Sequence, residues 1–434
     1  MKKKFILITT MSVFFGISGF AQNDGKAKPL KDDIAKSDIA IKDAKKGSNP
    51  ATWMTRGKLF RDAYNFNIQY LRQNMPSTEI VLYLGKPKEI ITEGDVETYV
   101  YSRIKVYFSK GVLTHWEETE SIVDSPLTEA VNAYEKAKSL DEKGKLAKKI
   151  EEAYDGISRD LEAKAFNEYA LKNYKEAYKD AQEKIKVSSL LGKIDTIFYY
   201  YAGYFAYTQS EADKSMWKES IDNFDKALSY DFKETGESAG LIYTMLYNSC
   251  TAVGDTLKGL SYAEKGFQQN PNDISLIYIM INYYMNRKEN QKALDYIEKA
   301  KVNDPKNAVL YFAEGSLHDK LGNKEKAIAA YDAAIAIDPT DYGYHYNKGV
   351  VYYNSAVKLM EEADKTKTNE EFERLKNLAD DEFYKAIPLM EKALELHVGD
   401  RDVMETLKSL YFRLRTKYPE MESKYNSIVE KLGS

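Results

Sequence analysis

The hydrophobic pattern of this chain is clearest between Gly240 and Asp341. In EKAIAAYDAAIAIDPTD, Glu325 to Asp341, small and apolar residues recur every three to four positions, the period of a helix with one buried face, and the pattern stops at Asp338-Pro339. Moving back 34 residues gives QKALDYIEKAKVNDPKN, Gln291 to Asn307, which aligns without a gap and places Ala293 on Ala327, Ala300 on Ala334 and Pro305 on Pro339. Another step of the same length reaches Gly259, Ala263, Gly266 and Pro271. Small residues let helices approach closely, tyrosines fill what the approach leaves, and the proline ring cannot continue the helix before it. The segment is therefore one copy of a repeated helix pair that buries its faces against its neighbours.

Each copy supplies a first helix as well. Tyr311, Gly315 and His318 precede Ala327, Tyr331 and Ala334; Ile277, Ile281 and Tyr284 precede Ala293, Ile297 and Ala300; Tyr243, Tyr247 and Cys250 open the earlier copy. Upstream, Tyr199, Gly203, Ser220, Phe224 and Ala227 form a copy with about five extra residues, and Asn173, Tyr174 and Ala177 mark the second helix of another. Downstream, Gly349 and Tyr352 begin a copy whose second helix, DDEFYKAIPLMEKALEL, is delayed by about 25 residues rich in charge, which predicts a longer helical pair. Arg401 to Ser434 reads as a first helix with Met404, Leu407 and Tyr411 and a polar second helix, as expected of a cap.

This pattern resembles the tetratricopeptide repeat family. The resemblance implies a mainly α fold, an α-solenoid in which helix pairs wind into a right-handed superhelix.

One copy is interrupted. Trp53, Gly57 and Phe60 have the spacing of a first helix, yet the matching second helix, LTEAVNAYEKAKSLD, arrives only with Ala130, Tyr134 and Ala137, so that the alanine expected at position 69 falls at 130. Loop-closure entropy tolerates such an insertion when its ends stay close. Within it, NMPSTEIVLYLGKPKEI predicts a short helix ended by Gly85 and Pro87, and ETYVYSR, IKVYFSKG and VLTHWEE predict three strands, with a tight turn at Phe108-Ser109-Lys110-Gly111. Leu84, Gly85 and Pro87, the pair Tyr99 and Tyr101, and Tyr107, Phe108 and Gly111 resemble the SmpA/OmlA family of small periplasmic domains. That family's pattern is a helix ending in Leu-Gly-x-Pro followed by a curled antiparallel sheet. Its lipid-anchored N-terminus is absent here, so its role in barrel assembly does not transfer.

The expected organisation is a signal peptide at 1–21, an N-terminal helical segment at 22–48, the first helix of the first repeat at 49–65, an inserted α+β domain at 66–122, the repeat array at 123–400 and capping helices at 401–434. Lys2, Lys3 and Lys4, the apolar run from Phe5 to Phe20, and Gly19 and Ala21 before Gln22 make the start a secretory signal and predict a soluble periplasmic protein. The alternative, an uncleaved anchor, has an apolar run of only about 16 residues, short for a membrane span. The chain has 63 basic and 67 acidic residues, and losing those three lysines takes its formal charge from −4 to about −7, a balance without a nucleic-acid signature. Cys250 is the single cysteine, which excludes an internal disulfide.

No catalytic motif stands in the sequence: there is no Gly-x-Ser-x-Gly, phosphate loop, dinucleotide glycine motif, His-Glu-x-x-His or Cys-x-x-Cys. Ser-x-x-Lys at Ser102/Lys105 and Ser215/Lys218 lacks companion motifs, and His115, His318, His345 and His397 are scattered. No catalytic residue, cofactor or metal is expected. The tetratricopeptide resemblance implies instead a concave groove lined by first helices at positions two, five, nine, twelve and thirteen of each copy. On this chain those positions include Asn248, Tyr278, Asn282, Asn286, Phe312, Ser316, Tyr346 and Asn354. Asparagine offers both donor and acceptor to an extended backbone, and aromatics give contact area at low entropic cost. A non-catalytic periplasmic adaptor for a protein or peptide segment is the leading expectation, with the inserted domain as a second site. Three readings stay open beside it: a glycan-binding module, an enzyme with an unfamiliar site, against which stands only the absence of motifs, and aromatic groove positions that serve only to pack helices.

Overall fold

The computed structural model describes residues 24–233 and 240–433; the expected signal segment lies outside the described residues. They form two compact units, one of residues 24–233 with 252–254 and one of residues 240–251 with 255–433.

In the first unit, α1 (Asp24–Lys42) and α2 (Pro50–Asn65) are followed by α3 (Ser77–Leu84) and four strands, β1 (Glu89–Glu93), β2 (Val96–Val100), β3 (Ile104–Ser109) and β4 (Val112–Glu118). Helices α4 (Pro126–Leu140), α5 (Ala147–Ala170), α6 (Tyr174–Leu190), α7 (Thr196–Gln209) and α8 (Met216–Ser229) complete it. Helix α2 packs against α4 although α3 and the whole sheet lie between them in sequence. The contact is made where Gly57 meets the ring of Tyr134: a Cβ added at Gly57 would lie 2.7 Å from that ring. The same device joins α7 to α8, where a Cβ on Gly203 would lie 2.6 Å from Phe224. Ala130, Ala137 and Ala227 are fully buried along these seams, and Ala177 and Ala181 of α6 are fully buried where it packs on α5 and α7.

The sheet is antiparallel in the order β1-β2-β3-β4, with Ile91 opposite Thr98, Thr98 opposite Tyr107 and Tyr107 opposite His115. Lys110 and Gly111, at φ of 50° and 75°, close the β3–β4 hairpin as the glycine there predicts. Strand β3 alternates strictly between buried and half-buried positions; its Ile104, Val106 and Phe108 join Leu113, Trp116 and the α3 residues Ile80 and Leu84 in one apolar core. That core is continuous with Phe60, Tyr64, Val131 and Tyr154 of the helices, so the sheet is built onto the first helix pair. The fourth strand, β1, was not among the three expected. All five of its residues are exposed, so EIITE carries no alternation of burial that would mark a strand.

The second unit runs through α9 (Leu241–Ala252), α10 (Thr256–Gln269), α11 (Ile274–Asn286), α12 (Asn290–Asn303), α13 (Ala308–Lys320), α14 (Lys324–Ile337), α15 (Tyr342–Ala363), α16 (Asn369–Leu396), α17 (Arg401–Leu414) and α18 (Glu420–Gly433). Two residues after Pro271, Pro305 and Pro339 stand Asp273, Asn307 and Asp341, whose side chains accept hydrogen bonds from the backbone N–H of Leu276, Val309 and Gly343. Proline ends one helix and the residue two beyond caps the next, which is why the period survives where core positions drift. The delayed copy forms a long pair, α15 of 22 residues against α16 of 28. Cys250 is buried in α9.

Candidate first-helix binding faces

In the second unit the eight predicted positions divide by exposure. Asn282, Asn286 and Asn354 are exposed, while Asn248, Tyr278, Phe312, Ser316 and Tyr346 are half-buried. The ring of Phe312 sits between Tyr331 of α14, at 5.8 Å, and Tyr344 of α15, at 5.3 Å. The Ser316 Oγ lies 3.1 Å from the Tyr331 hydroxyl. Burial pushes the Tyr278 hydroxyl pKa up, with the Asp341 carboxylate adding to it. Tyr346 packs against the apolar cluster shared by α15, α16 and α17. These aromatics thus contribute to packing and keep part of each ring open, whereas the exposed amides of Asn282, Asn286 and Asn354 face solvent, where a partner can reach them.

The first unit carries a feature the sequence reading did not single out. Counting the same repeat positions from Ser158 and Thr196, as Ala177 and Gly203 allow, gives Arg159, Glu162, Phe166 and Tyr169 on α5 and Tyr200, Tyr204 and Tyr207 on α7. Arg159, Glu162 and Phe166 line a cavity of about 840 Å³ together with Arg61 and Asp62 of α2, Gln69 and Arg72 of the following segment, and Trp116 of β4. The inserted sheet therefore walls the end of a first-helix face. Arg61 lies flat across α5 at Gly156, where a Cβ would come within 2.3 Å of its guanidinium, and its Nε donates to Asp160 at 2.6 Å. Arg159 is exposed and has no ion-pair partner among the described residues. Glycine at 156 could have been noticed, but nothing in the sequence pairs it with Arg61.

The wall is fastened by Asn167, a buried residue of α5. Its Nδ2 donates to the Trp116 carbonyl and its Oδ1 accepts from the Trp116 N–H, both at 2.9 Å, so a side-chain amide takes the place of a neighbouring strand.

Behind this face, burial pushes the Asp180 carboxyl up to about 6, against the pull of Lys164, whose Nζ donates to Oδ1 at 2.6 Å. Oδ2 has no hydrogen-bond partner. The folded value stands above the ordinary 3.8, so the stability this group contributes is full below that value and is lost as pH rises through about 6. Asp180→Asn should therefore stabilise the first unit by about 1–3 kcal/mol at pH 8, with the gain shrinking toward pH 4. Denaturant unfolding of both proteins across that range checks it, and parallel profiles would count against the assignment.

Among the described residues, no three or more His, Cys, Asp and Glu side chains are grouped to hold a metal, and no helix is long and apolar enough to cross a membrane.

Residues 315–355 match the TPR repeat family. A TPR repeat-containing protein of Methanocaldococcus jannaschii is 26% identical over 324 residues, covering 71% of this chain. The chain spans about half of that relative's length, 48%. Among solved structures, YrrB, described as a TPR protein with an unusual peptide-binding site, is 22% identical, with 47% of this chain and 97% of that one covered and a TM-score of 0.32. A tetratricopeptide repeat protein from Parabacteroides merdae is 16% identical, with 58% and 98% covered and a TM-score of 0.37. The C-terminal part of a TPR repeat-containing protein from Cytophaga hutchinsonii is 11% identical, with 65% and 93% covered and a TM-score of 0.41. The family match runs from Gly315 through α14 into α15, the stretch that holds the Gly315–Tyr331 contact, and a tetratricopeptide repeat is thereby supported over these residues.

Proposed function

We propose that this protein is an exported, non-catalytic adaptor that holds an extended segment of a partner protein along its first-helix faces. Tetratricopeptide repeats imply protein partners, and the observation that carries the reading is chemical. The repeat positions assigned to partner contact present exposed amides at Asn282, Asn286 and Asn354 in one unit and a lined cavity with an unpaired Arg159 in the other. Amides pair with a peptide backbone whatever its sequence, and an arginine fork adds preference for a carboxylate or carbonyl. Export rests on the pattern of residues 1–21, and the likeness to SmpA/OmlA domains rests on Leu84-Gly85-x-Pro87 followed by the antiparallel sheet.

The test is photo-crosslinking in cells from Asn282 and from Arg159, with Val302, an exposed residue of the second helix α12, as control. A discrete protein adduct present at both and absent from Val302 is the expected result. Adducts that carry only glycan mass would replace the adaptor with a glycan-binding module, and identical adducts from all three positions would remove the binding face altogether. Once a segment is identified, an affinity near micromolar, about −8 kcal/mol, suits an exchangeable adaptor. Arg159→Ala should weaken it by roughly 5- to 10-fold if one exposed charge-assisted bond is lost.

A further inference from the structure

The two edges of the inserted sheet are treated differently. The outer edge of β4 is closed: Asn74 N–H donates to the Leu113 carbonyl, Leu113 N–H donates to the Met75 carbonyl, each at 2.8 Å, and Asn167 takes both main-chain groups of Trp116. The outer edge of β1 is open, with no main-chain or side-chain partner among the described residues. Gly94 and Asp95 form a two-residue turn between β1 and β2, so the flanking Glu93 and Val96 exchange both their bonds. Alternation then turns Glu93, Ile91 and Glu89 toward β2, and the N–H and C=O of Ile90 and Thr92 outward.

Exposed apolar side chains stand on both faces of that edge, Ile90 at 53% and Ile91 at 38%. Around them the hairpin from Glu89 to Val100 carries Glu89, Glu93, Asp95 and Glu97 and no lysine or arginine; Lys88 stands just before it, and none of the four acids has an ion pair among the described residues. Glu89, Ile91 and Glu93 share one face by the period of two.

We propose that β1 is a strand-addition site for an extended partner segment of the form basic, apolar or Thr, apolar, apolar, basic. An added antiparallel strand would set its basic residues opposite Glu93 and Glu89, its central residue on Ile91, and its backbone on the open groups of Ile90 and Thr92. A second copy of this chain does not fit: antiparallel pairing of β1 with itself about Ile91 sets Glu89 against Glu93 twice, and like charges directly opposite destabilise a sheet. This site is separate from the first-helix faces and fails or stands independently of them.

The test uses the whole mature chain and the peptide acetyl-Ser-Lys-Thr-Val-Val-Lys-Ser-amide, followed by backbone NMR shifts. Expected are perturbations confined to β1 and its turn, and an affinity that falls several-fold from about 50 to 300 mM salt. Thr92→Pro removes an outward donor at an edge position where proline is tolerated, and should weaken binding by more than about tenfold with the β2–β3–β4 ladder intact. Glu89→Lys/Glu93→Lys changes only exposed side chains, and should transfer preference to the peptide with glutamate in place of both lysines. Any of four results would overturn the proposal: no β1 perturbation at millimolar peptide, equal binding of both peptides to the natural chain, undiminished binding by a folded Thr92→Pro, or self-association through β1. Crosslinking from Asn282 should be indifferent to Thr92→Pro, so the two sites are told apart.

Discussion

Replacing Tyr331 with alanine should destabilise the second unit by about 3–5 kcal/mol, the range for deleting a fully buried aromatic side chain. Tyr331 is 1% exposed and ranks among the largest fully buried side chains. Its ring fills the space over Gly315, where a Cβ would lie only 2.8 Å away, and touches Phe312, while its hydroxyl meets Ser316. Alanine would leave a cavity between α13 and α14 that neither backbone can collapse into, because Ala327 and Ala334 already hold the helices at close contact. Tyr331→Phe keeps the ring and loses one hydroxyl bond, so it should cost about 1 kcal/mol. The reciprocal change, Gly315→Ala, presses on a rigid ring and should cost about 1–3 kcal/mol. Because neighbouring pairs support one another only locally, hydrogen exchange should rise first in α13, α14 and α15 and least in α17 and α18. Uniform loss of protection across the unit would show that it unfolds as one block and that the local account is wrong.

That contact was legible in the sequence because it is periodic. Gly315 and Tyr331, Gly57 and Tyr134, and Gly203 and Phe224 occupy matching repeat positions once the insertion after Phe60 and the about five extra residues after Gly203 are allowed for, so the Gly57 pair could be found across an insertion. The turn at Lys110-Gly111 and the helix end at Gly85, with φ of 79°, were legible for a local reason: only a few residues accept positive φ. What escaped was neither periodic nor local. Strand β1 lacks a buried face, and a strand without one writes no alternation into its residues. The cavity bounded by Arg61, Arg159, Phe166 and Trp116 draws on two helices and a strand whose meeting is set by tertiary packing. Of the predicted positions, sequence could number Phe312 and Asn282 equally, but only the folded chain separates a ring held between Tyr331 and Tyr344 from an amide left in solvent.

Asn167→Ala should be the most damaging polar substitution in the first unit, costing about 2–5 kcal/mol. An asparagine in mid-helix is ordinarily a mild liability, since its side chain competes for backbone groups. Here the group it satisfies is the Trp116 main chain on the β4 edge, and alanine would leave that N–H and C=O buried with nothing to pair with. Asn167→Asp should do no better: the carboxylate still accepts from the N–H but sets an oxygen against the carbonyl that Nδ2 had approached at 2.9 Å. The far end of β4 stays tethered, because Asn67 donates to Glu118 at 2.7 Å and to the Glu120 carbonyl at 3.1 Å. The expected outcome is therefore a sheet that loosens on α5 without detaching. Hydrogen exchange should rise at Leu113 and Trp116 and Trp116 fluorescence should shift to the red, while Ala177 and Ala181 on α6 keep their protection. Since Trp116 lines the cavity beside Arg159 and Asn167 does not, Asn167→Ala would also separate two roles for the insert. Loss of a crosslinked partner from Arg159 in that variant means the sheet shapes the binding face. Retention, with the sheet loosened, means the helices alone hold the partner and the insert serves β1.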